Sequence, residues 1–153
     1  RELITDILFE EADGLAGHVS EQFRTKLDRE LRTARRNLST RSADGVEFAI
    51  LDTDAFSHRF DFPPTELLLD ALHRAGAADT DEELVTIGLG EDELHVRSTA
   101  PIDVRTVGDE IAEQVEDGGV SVVGGRDGHV EFLTGERDRV LNAGVAAIAN
   151  TFA

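Results

Sequence analysis

The stretch VSVVGGRDGHVEFL, residues 120–133, is the most informative part of this chain for its fold. Two strand-like apolar runs, 120–123 and 130–133, flank a loop with paired glycines, an arginine and a histidine. Glycine accepts positive φ and lets a ligand approach backbone N–H groups closely, and successive N–H groups in a turn form a concavity for anions. Arg126 adds a planar fork suited to phosphate or carboxylate. An ordinary five-residue hairpin loop explains the same letters equally well.

On both sides of this stretch, strand-like and helix-like patterns alternate. The apolar run 46–51 indicates a strand inside a sheet, and 84–89 and 94–98 flank an acidic turn as a hairpin. Helices are predicted from Pro63-Pro64-Thr65 to Gly76, from an N-cap at Asp103, and around 140–148. The order β-α-β-β-α-β-β-α predicts an α/β (α+β) fold, an open mixed sheet covered by helices.

The first forty residues are predicted to be helical. Their apolar residues recur mostly at intervals of four, at Leu15, Val19, Phe23, Leu27, Leu31 and Leu38. Gly14 and Gly17 are expected to separate a shorter leading helix from this stripe. We therefore divide the chain into a helical connector, 1–41, and an α/β substrate-binding domain, 42–153. The stripe needs a partner, which could be the following domain, a missing neighbouring domain, or a second copy in a homodimer.

The same helical segment carries the chain's basic residues in highest density. Seven basic and two acidic residues between positions 24 and 41 give it a net charge of +5, the basic ones being Arg24, Lys26, Arg29, Arg32, Arg35, Arg36 and Arg41. Such a face could follow a phosphate backbone. We favour the alternative that these arginines pair with the protein's own carboxylates.

The charge balance indicates a halophilic origin. The net charge is −17, from 32 acidic against 15 basic residues, and Lys26 is the single lysine. The alternative is an acidic protein that repels nucleic acid through its net charge. At ~1 M salt, however, the Debye length is ~3 Å, so short contacts with an anion remain compatible with this charge.

Several classes of site are excluded or not indicated. The absence of Cys excludes disulfides and thiolate chemistry, and no apolar run approaches the ~18 residues of a membrane span. With no signal-peptide pattern, we expect no membrane association and a cytoplasmic location. The chain begins at Arg1 and contains no Met, which indicates an excised domain or a processed piece.

No motif for catalysis is present. The five histidines lack metal-ligand spacing, and no nucleophile elbow, Walker loop or dinucleotide fingerprint occurs. Asp52 and Asp54 form an Asp-x-Asp that we interpret as an acidic loop. We predict no catalytic residue, no metal ligand and no cofactor in these 153 residues, and hence no phosphodiesterase activity of this chain alone.

A binding site is predicted where the strand 94–98 ends. In a β-β-α-β arrangement that end can lie beside the glycine loop, so several phosphate-binding groups could meet there. The predicted substrate-binding residues are Arg97, Ser98, Gly124, Gly125, Arg126 and His129. The alternative is that Arg97 is only a surface cation at a strand end.

These residues resemble the DHH-associated domain, the C-terminal substrate-binding module of DHH phosphoesterases such as RecJ exonucleases and oligoribonucleases. The matching motifs over roughly residues 44–135 are HVRS at 95–98, IDVRTV at 102–107 and GGRDGH at 124–129. The acidic composition suggests a haloarchaeal type. The chain is similar also to the C-terminal module of alanyl-tRNA synthetases. It departs from the family pattern at Arg126, and His129 comes two residues late.

The resemblance implies a nucleic-acid- or phosphate-binding C-terminal domain of a RecJ-like enzyme, a single-strand exonuclease or oligonucleotide phosphodiesterase. The expected partners are single-stranded nucleic acid phosphates and a missing N-terminal catalytic domain. That domain would hold Mn²⁺ or Mg²⁺, because the DHH motif is not in this chain. In the family, the arginine and the glycine–histidine loop hold phosphates against those metals.

A second hypothesis is a ferredoxin-like regulatory, dimerisation or assembly module without nucleic-acid binding. The core order β-α-β-β-α-β fits such a domain, and the leading helix could form its dimer contact. The sequence leaves open the choice between DNA and RNA.

Overall fold

The computed structural model describes residues 13–54, 65–124 and 128–152. The helices are α1 (Asp13–Arg36), α2 (Thr65–Ala78), α3 (Val104–Gln114) and α4 (Arg137–Phe152). The strands are β1 (Ser39–Ala43), β2 (Val46–Asp52), β3 (Glu83–Leu89), β4 (Glu93–Ser98), β5 (Ser121–Val123) and β6 (His129–Glu131). The α/β fold and its leading helical segment are confirmed. The part predicted to form a shorter leading helix, residues 1–12, lies outside the described residues.

The six strands form one mixed sheet in the order β1-β2-β3-β4-β6-β5. β2 and β3 are parallel and joined through α2, while the other neighbours are antiparallel. A ferredoxin-like fold needs a split β-α-β unit, in which a further strand separates the two parallel strands. Here β2 pairs directly with β3, from Val46↔Glu83 to Asp52↔Leu89. The ferredoxin-like arrangement is therefore wrong for this chain.

Strand β1 was not predicted, because its sequence, STRSA, has no apolar alternation and lies mostly exposed at the sheet edge. It pairs with β2 through a tight turn in which Asp44 and Gly45 have φ of 52° and 79°. Two positive φ values suit the two-residue hairpin turns whose twist matches that of the strands. Residues 39–41 thus belong to the sheet.

The α1 helix runs through Gly14 and Gly17 without the expected interruption. The prediction that Gly76 ends α2 is also wrong, since α2 continues to Ala78. A Cβ at Gly76 would lie 2.9 Å from Cδ2 of Leu84, so this glycine allows α2 to approach β3 closely. Asp103 caps α3 as predicted, because its Oδ1 accepts a hydrogen bond of 3.0 Å from the Arg105 amide.

Helices cover both faces of the sheet. The main core lies between the sheet and α3 with α4, and its fully buried members include Phe48, Ile87, Leu94, Ile111, Val130 and Ile148. A smaller cluster of Ala34, Leu51, Leu68 and Leu72 holds α1 and α2 against the opposite face. Within the described ranges, no helix combines the length and apolarity that crossing a bilayer requires.

Two arginines of the basic segment contact groups of the protein itself. Arg35 Nη2 lies 2.6 Å from Asp79 Oδ2 and links α1 to the end of α2. Arg41 donates a 2.9 Å hydrogen bond to Asn142 in α4. Arg35 thus pairs with a carboxylate of the protein, as favoured from the sequence, whereas Arg41 lies in β1 and contacts a neutral amide. For the other basic residues of the segment, pairing with the protein's own carboxylates stays a prediction.

Candidate functional site

A cleft of about 450 Å³ opens where β4 and β6 separate. The two strands pair at Glu93↔Glu131 and Leu94↔Val130, and the cleft begins beyond these pairs. Its lining comes from the end of β4, the segment leading to α3, and the residue before β6: Val96, Arg97, Ser98, Ala100, Pro101, Ile102, Val104 and Gly128. The end of β4 therefore does lie beside the glycine loop, as the sequence predicts.

Arg97 is held in place from the α2 side of the sheet. Its Nε donates a 2.5 Å hydrogen bond to Asp70 Oδ1, and its Nη1 donates a 3.1 Å bond to the Val96 carbonyl. The Arg97 side chain is 26 % exposed. These bonds use two of the five N–H donors of a guanidinium and fix the plane of the group beside the cleft.

Ser98 directly follows Arg97 and is the last residue of β4. Its Oγ accepts a hydrogen bond of 3.2 Å from the Ala100 amide, in a turn that leads the chain away from β4 toward α3. Such local bonds are typical of serine in turns. The turn places the half-buried Ser98 in the wall of the cleft.

The glycine loop connects β5 and β6 as a hairpin, since Val123 pairs with His129. Gly124 has a φ of +85°, and a Cβ added at Gly128 would collide with the Val123 carbonyl oxygen. Both positions thus require glycine for the turn itself. Gly125 and Arg126 lie outside the described residues, so their part in a phosphate site stays a prediction.

His129 belongs to a different group of side chains. Its ring stacks on that of His95 with centroids 4.7 Å apart, and its Nε2 lies 3.0 Å from Glu131 Oε2. The described lining of the cleft does not include His129. The structure therefore brings together Arg97, Ser98 and Gly128, and it places His129 in a histidine–glutamate cluster.

His73 supports the cleft from α2 and was missed by the sequence reasoning. Its Nδ1 lies 2.8 Å from Thr86 Oγ1 in β3. Burial lowers the pKa of His73 from its ordinary value, a hydrogen bond with the Ser98 backbone raises this pKa, and the Arg97 charge lowers it further. Asp70 and His73 are three residues apart on α2, a spacing that places both on one helix face.

Comparisons with known proteins give the fold alone. No family model matches the chain, and no curated protein matches its sequence. A solved protein described as a member of the s1p family of ribosomal proteins, DHH domain, superposes with a TM-score of 0.78 and 20 % identity over 88 % of this chain. This chain spans 33 % of that protein, about a third of its length.

A second solved structure, CDC45 from Entamoeba histolytica, reaches a TM-score of 0.49 with 17 % identity over 86 % of this chain and 28 % of that one. The first comparison shows that this chain shares its fold with part of that solved protein.

Proposed function

We propose that this chain is the C-terminal, phosphate-binding domain of a RecJ-like DHH phosphoesterase whose substrate is single-stranded nucleic acid. The observation that carries the proposal is the meeting of Arg97, Ser98 and Gly128 around one open cleft. The DHH-related fold supports it. The cytoplasmic location belongs to the same proposal.

Each of the three groups has a role in holding a phosphate. The Arg97 guanidinium would supply charge-assisted hydrogen bonds, which are about twice as strong as neutral ones. Asp70 would keep this side chain from turning into solvent, since its Oδ1 accepts the hydrogen bond from Arg97 Nε. The Ser98 hydroxyl is a further donor, and the backbone of Gly128 forms part of the cleft wall.

Hydrolysis would take place in another domain. Activation of a water molecule there is the chemistry that a bound Mn²⁺ or Mg²⁺ supplies. The contribution of this chain would be to orient the nucleic acid and to neutralise one phosphate beside the scissile bond. We expect the 153-residue chain alone to show no phosphodiesterase activity.

The proposal is tested by fluorescence anisotropy with a short 5′-phosphorylated oligonucleotide. Arg97→Ala should weaken binding by ~1.5–3 kcal/mol, about tenfold or more, because a charge-assisted contact is lost. Arg97→Lys should recover only part of the affinity, since an ammonium cannot replace the planar fork. Arg32→Ala, on the exposed surface of α1, is the matched loss of one arginine and should have little effect.

Asp70→Asn separates binding from a purely structural role of the ion pair. It removes the partner of Arg97 but keeps the guanidinium. A loss of binding in Asp70→Asn that is smaller than the loss in Arg97→Ala supports the proposal, because the guanidinium is kept but is less firmly oriented. Binding that is abolished by Arg32→Ala and intact in Arg97→Ala would refute it.

A homodimer through α1 is a second, compatible candidate. Leu27 and Leu31 belong to the apolar stripe of α1 and remain only half-buried in the single chain. A partner helix would cover them further. Sedimentation equilibrium tests this candidate: a dimer that Leu27→Glu converts to a monomer supports it, and a wild-type monomer at high protein concentration rejects it.

A further inference from the structure

Two pairs of side chains on neighbouring strands form a mirror-related pattern. β4 carries Glu93-x-His95 and β6 carries His129-x-Glu131. In the antiparallel register Glu93 lies opposite Glu131, which brings His95 opposite His129. Because side chains alternate between the faces of a sheet, all four project from the same face.

The functional atoms of three of these residues converge. The ligand atoms of Glu93, His129 and Glu131 all lie within 4.8 Å of one another. His129 Nε2 lies 3.0 Å from Glu131 Oε2 and 3.9 Å from Glu93 Oε1. A small cation bound among three such atoms needs ligand distances of ~2.0–2.2 Å, which modest side-chain rotations provide.

Exposure differs between the two residue types. The glutamate side chains are 47 % and 46 % exposed, whereas the rings of His95 and His129 are 10 % and 22 % exposed. The stacked rings are thus held by the protein, and the carboxylates face solvent, from which an ion can enter. Carboxylates directly opposite each other on neighbouring strands also repel, and a cation between them would relieve this repulsion.

We infer that Glu93, His129 and Glu131 bind a divalent first-row transition metal ion, with Zn²⁺ or Mn²⁺ as the best-fitting ions. An imidazole nitrogen suits zinc and related ions, and two carboxylates suit ions of harder character. Three protein ligands leave a coordination position for water or a further ligand. The site uses no residue of the cleft lining, so it stands independently of the proposed phosphate site.

His95 acts in this site as a positioning residue. Its Nε2 lies 3.2 Å from Glu93 Oε2, the second oxygen of a carboxylate whose first oxygen faces His129. Hydrogen bonds of this kind orient metal-binding carboxylates, and their loss typically lowers metal affinity by about 10–100-fold. The stacking of His95 on His129 fixes the second ring in the same way.

The test is a titration of the full chain with Zn²⁺ by calorimetry and with Co²⁺ by visible absorption, in ~1 M KCl to suppress diffuse binding by acidic surface groups. We expect one saturable site, with Co²⁺ bands that report nitrogen and oxygen ligands. Glu131→Gln and His129→Gln should each weaken binding by at least about tenfold. The control Glu91→Gln removes the same charge from the exposed turn before β4 and should leave affinity within about twofold.

Folding is checked separately. Glu131 is half-exposed, so Glu131→Gln should keep the wild-type circular dichroism spectrum and lose the rise in Tm that Zn²⁺ gives the wild type. His95→Gln should weaken Zn²⁺ binding by about tenfold and broaden the Co²⁺ bands, which a merely structural role would not do. Arg97→Ala should bind Zn²⁺ normally, which separates this site from the phosphate cleft. Absence of a saturable site, or equal losses in Glu91→Gln and Glu131→Gln, would overturn the inference.

Discussion

At the scale of single residues, the contact between Arg97 and Asp70 decides what the cleft can bind. The two side chains are 26 % and 48 % exposed, and ion pairs of such exposure stabilise a fold by only about 0–1 kcal/mol. The value of the pair therefore lies in the orientation of the guanidinium. His73 lies one helical turn beyond Asp70. It places a neutral ring against the backbone of Ser98 at the end of β4, and its Nδ1 contacts Thr86 in β3.

His73 should make the protein less stable in mild acid. Its folded pKa lies below the ordinary value of 6.5, chiefly through burial, so the unfolded chain binds a proton first as the pH falls. The free energy of unfolding should decrease as the pH falls below 6.5, until the folded protein is protonated as well. Urea unfolding at about pH 7.5 and 5.5 measures this, and His73→Gln should reduce the difference. The same difference in both proteins would contradict the account.

At the scale of elements, patterning predicts most of the fold. Apolar alternation and turn residues locate β2 to β6, and the Asp103 cap locates the start of α3. β1 is not predicted, because an edge strand buries few side chains and therefore needs no alternation of apolar residues. Strand order is likewise absent from local patterns, since it depends on which elements pair at long range.

Local sequence patterns likewise indicate some residues of the candidate site and not others. Arg97 and Ser98 could be predicted because strand ends and glycine loops are visible in sequence. The histidine–glutamate cluster could also have been found, because Glu-x-His and His-x-Glu on paired antiparallel strands share a face. The loop motif groups His129 with the phosphate-binding residues, whereas its position in β6 places it beside Glu131 and His95. The ion pair to Asp70 is a tertiary contact that no local spacing indicates.

Two glycines inside helices should respond differently to alanine. A Cβ at Gly108 in α3 would collide with Cγ2 of Val122, whereas a Cβ at Gly144 in α4 would meet Ile111 Cδ1 at an ordinary 3.4 Å. Gly144→Ala should therefore keep much of the ~0.8–1 kcal/mol gain in helix propensity. The free energy of unfolding of Gly108→Ala should be ~1–3 kcal/mol lower than that of Gly144→Ala, because the added methyl group pushes α3 away from β5. Equal free energies of unfolding for the two variants would contradict this packing.

At the scale of the whole molecule, the main electrostatic feature is the excess of negative charge. The net charge is −17, while the described ion pairs that use arginine are few: Arg35–Asp79, Arg97–Asp70, Arg137–Asp52 and Arg139–Glu136. Most carboxylates thus contribute to a repulsive surface field that salt screens. A protein adapted to high salt is our proposal for this balance.

The Tm should consequently rise between ~0.1 M and ~2 M KCl, because screening reduces the repulsion in the folded state. Reversal of two exposed charges in the variant Glu113→Lys/Glu116→Lys should raise the Tm at low salt and flatten its salt dependence. Differential scanning calorimetry provides the measurement. A Tm that is independent of KCl in the wild type would remove the argument for halophilic adaptation.

If the cleft beside Arg97 holds a phosphate, as we propose, NMR titration of the 15N-labelled chain will detect the phosphate at individual residues. A dinucleotide with a 5′-phosphate should shift the Arg97 Nε–Hε signal and the amide signals of Ser98 and Gly128 in ~1 M KCl, where diffuse attraction is screened. The dinucleotide without that phosphate should shift them much less, and the Nε–Hε signal of Arg139, which pairs with Glu136, should not move. Shifts confined to the arginines of α1, or equal shifts with both dinucleotides, would contradict the claim.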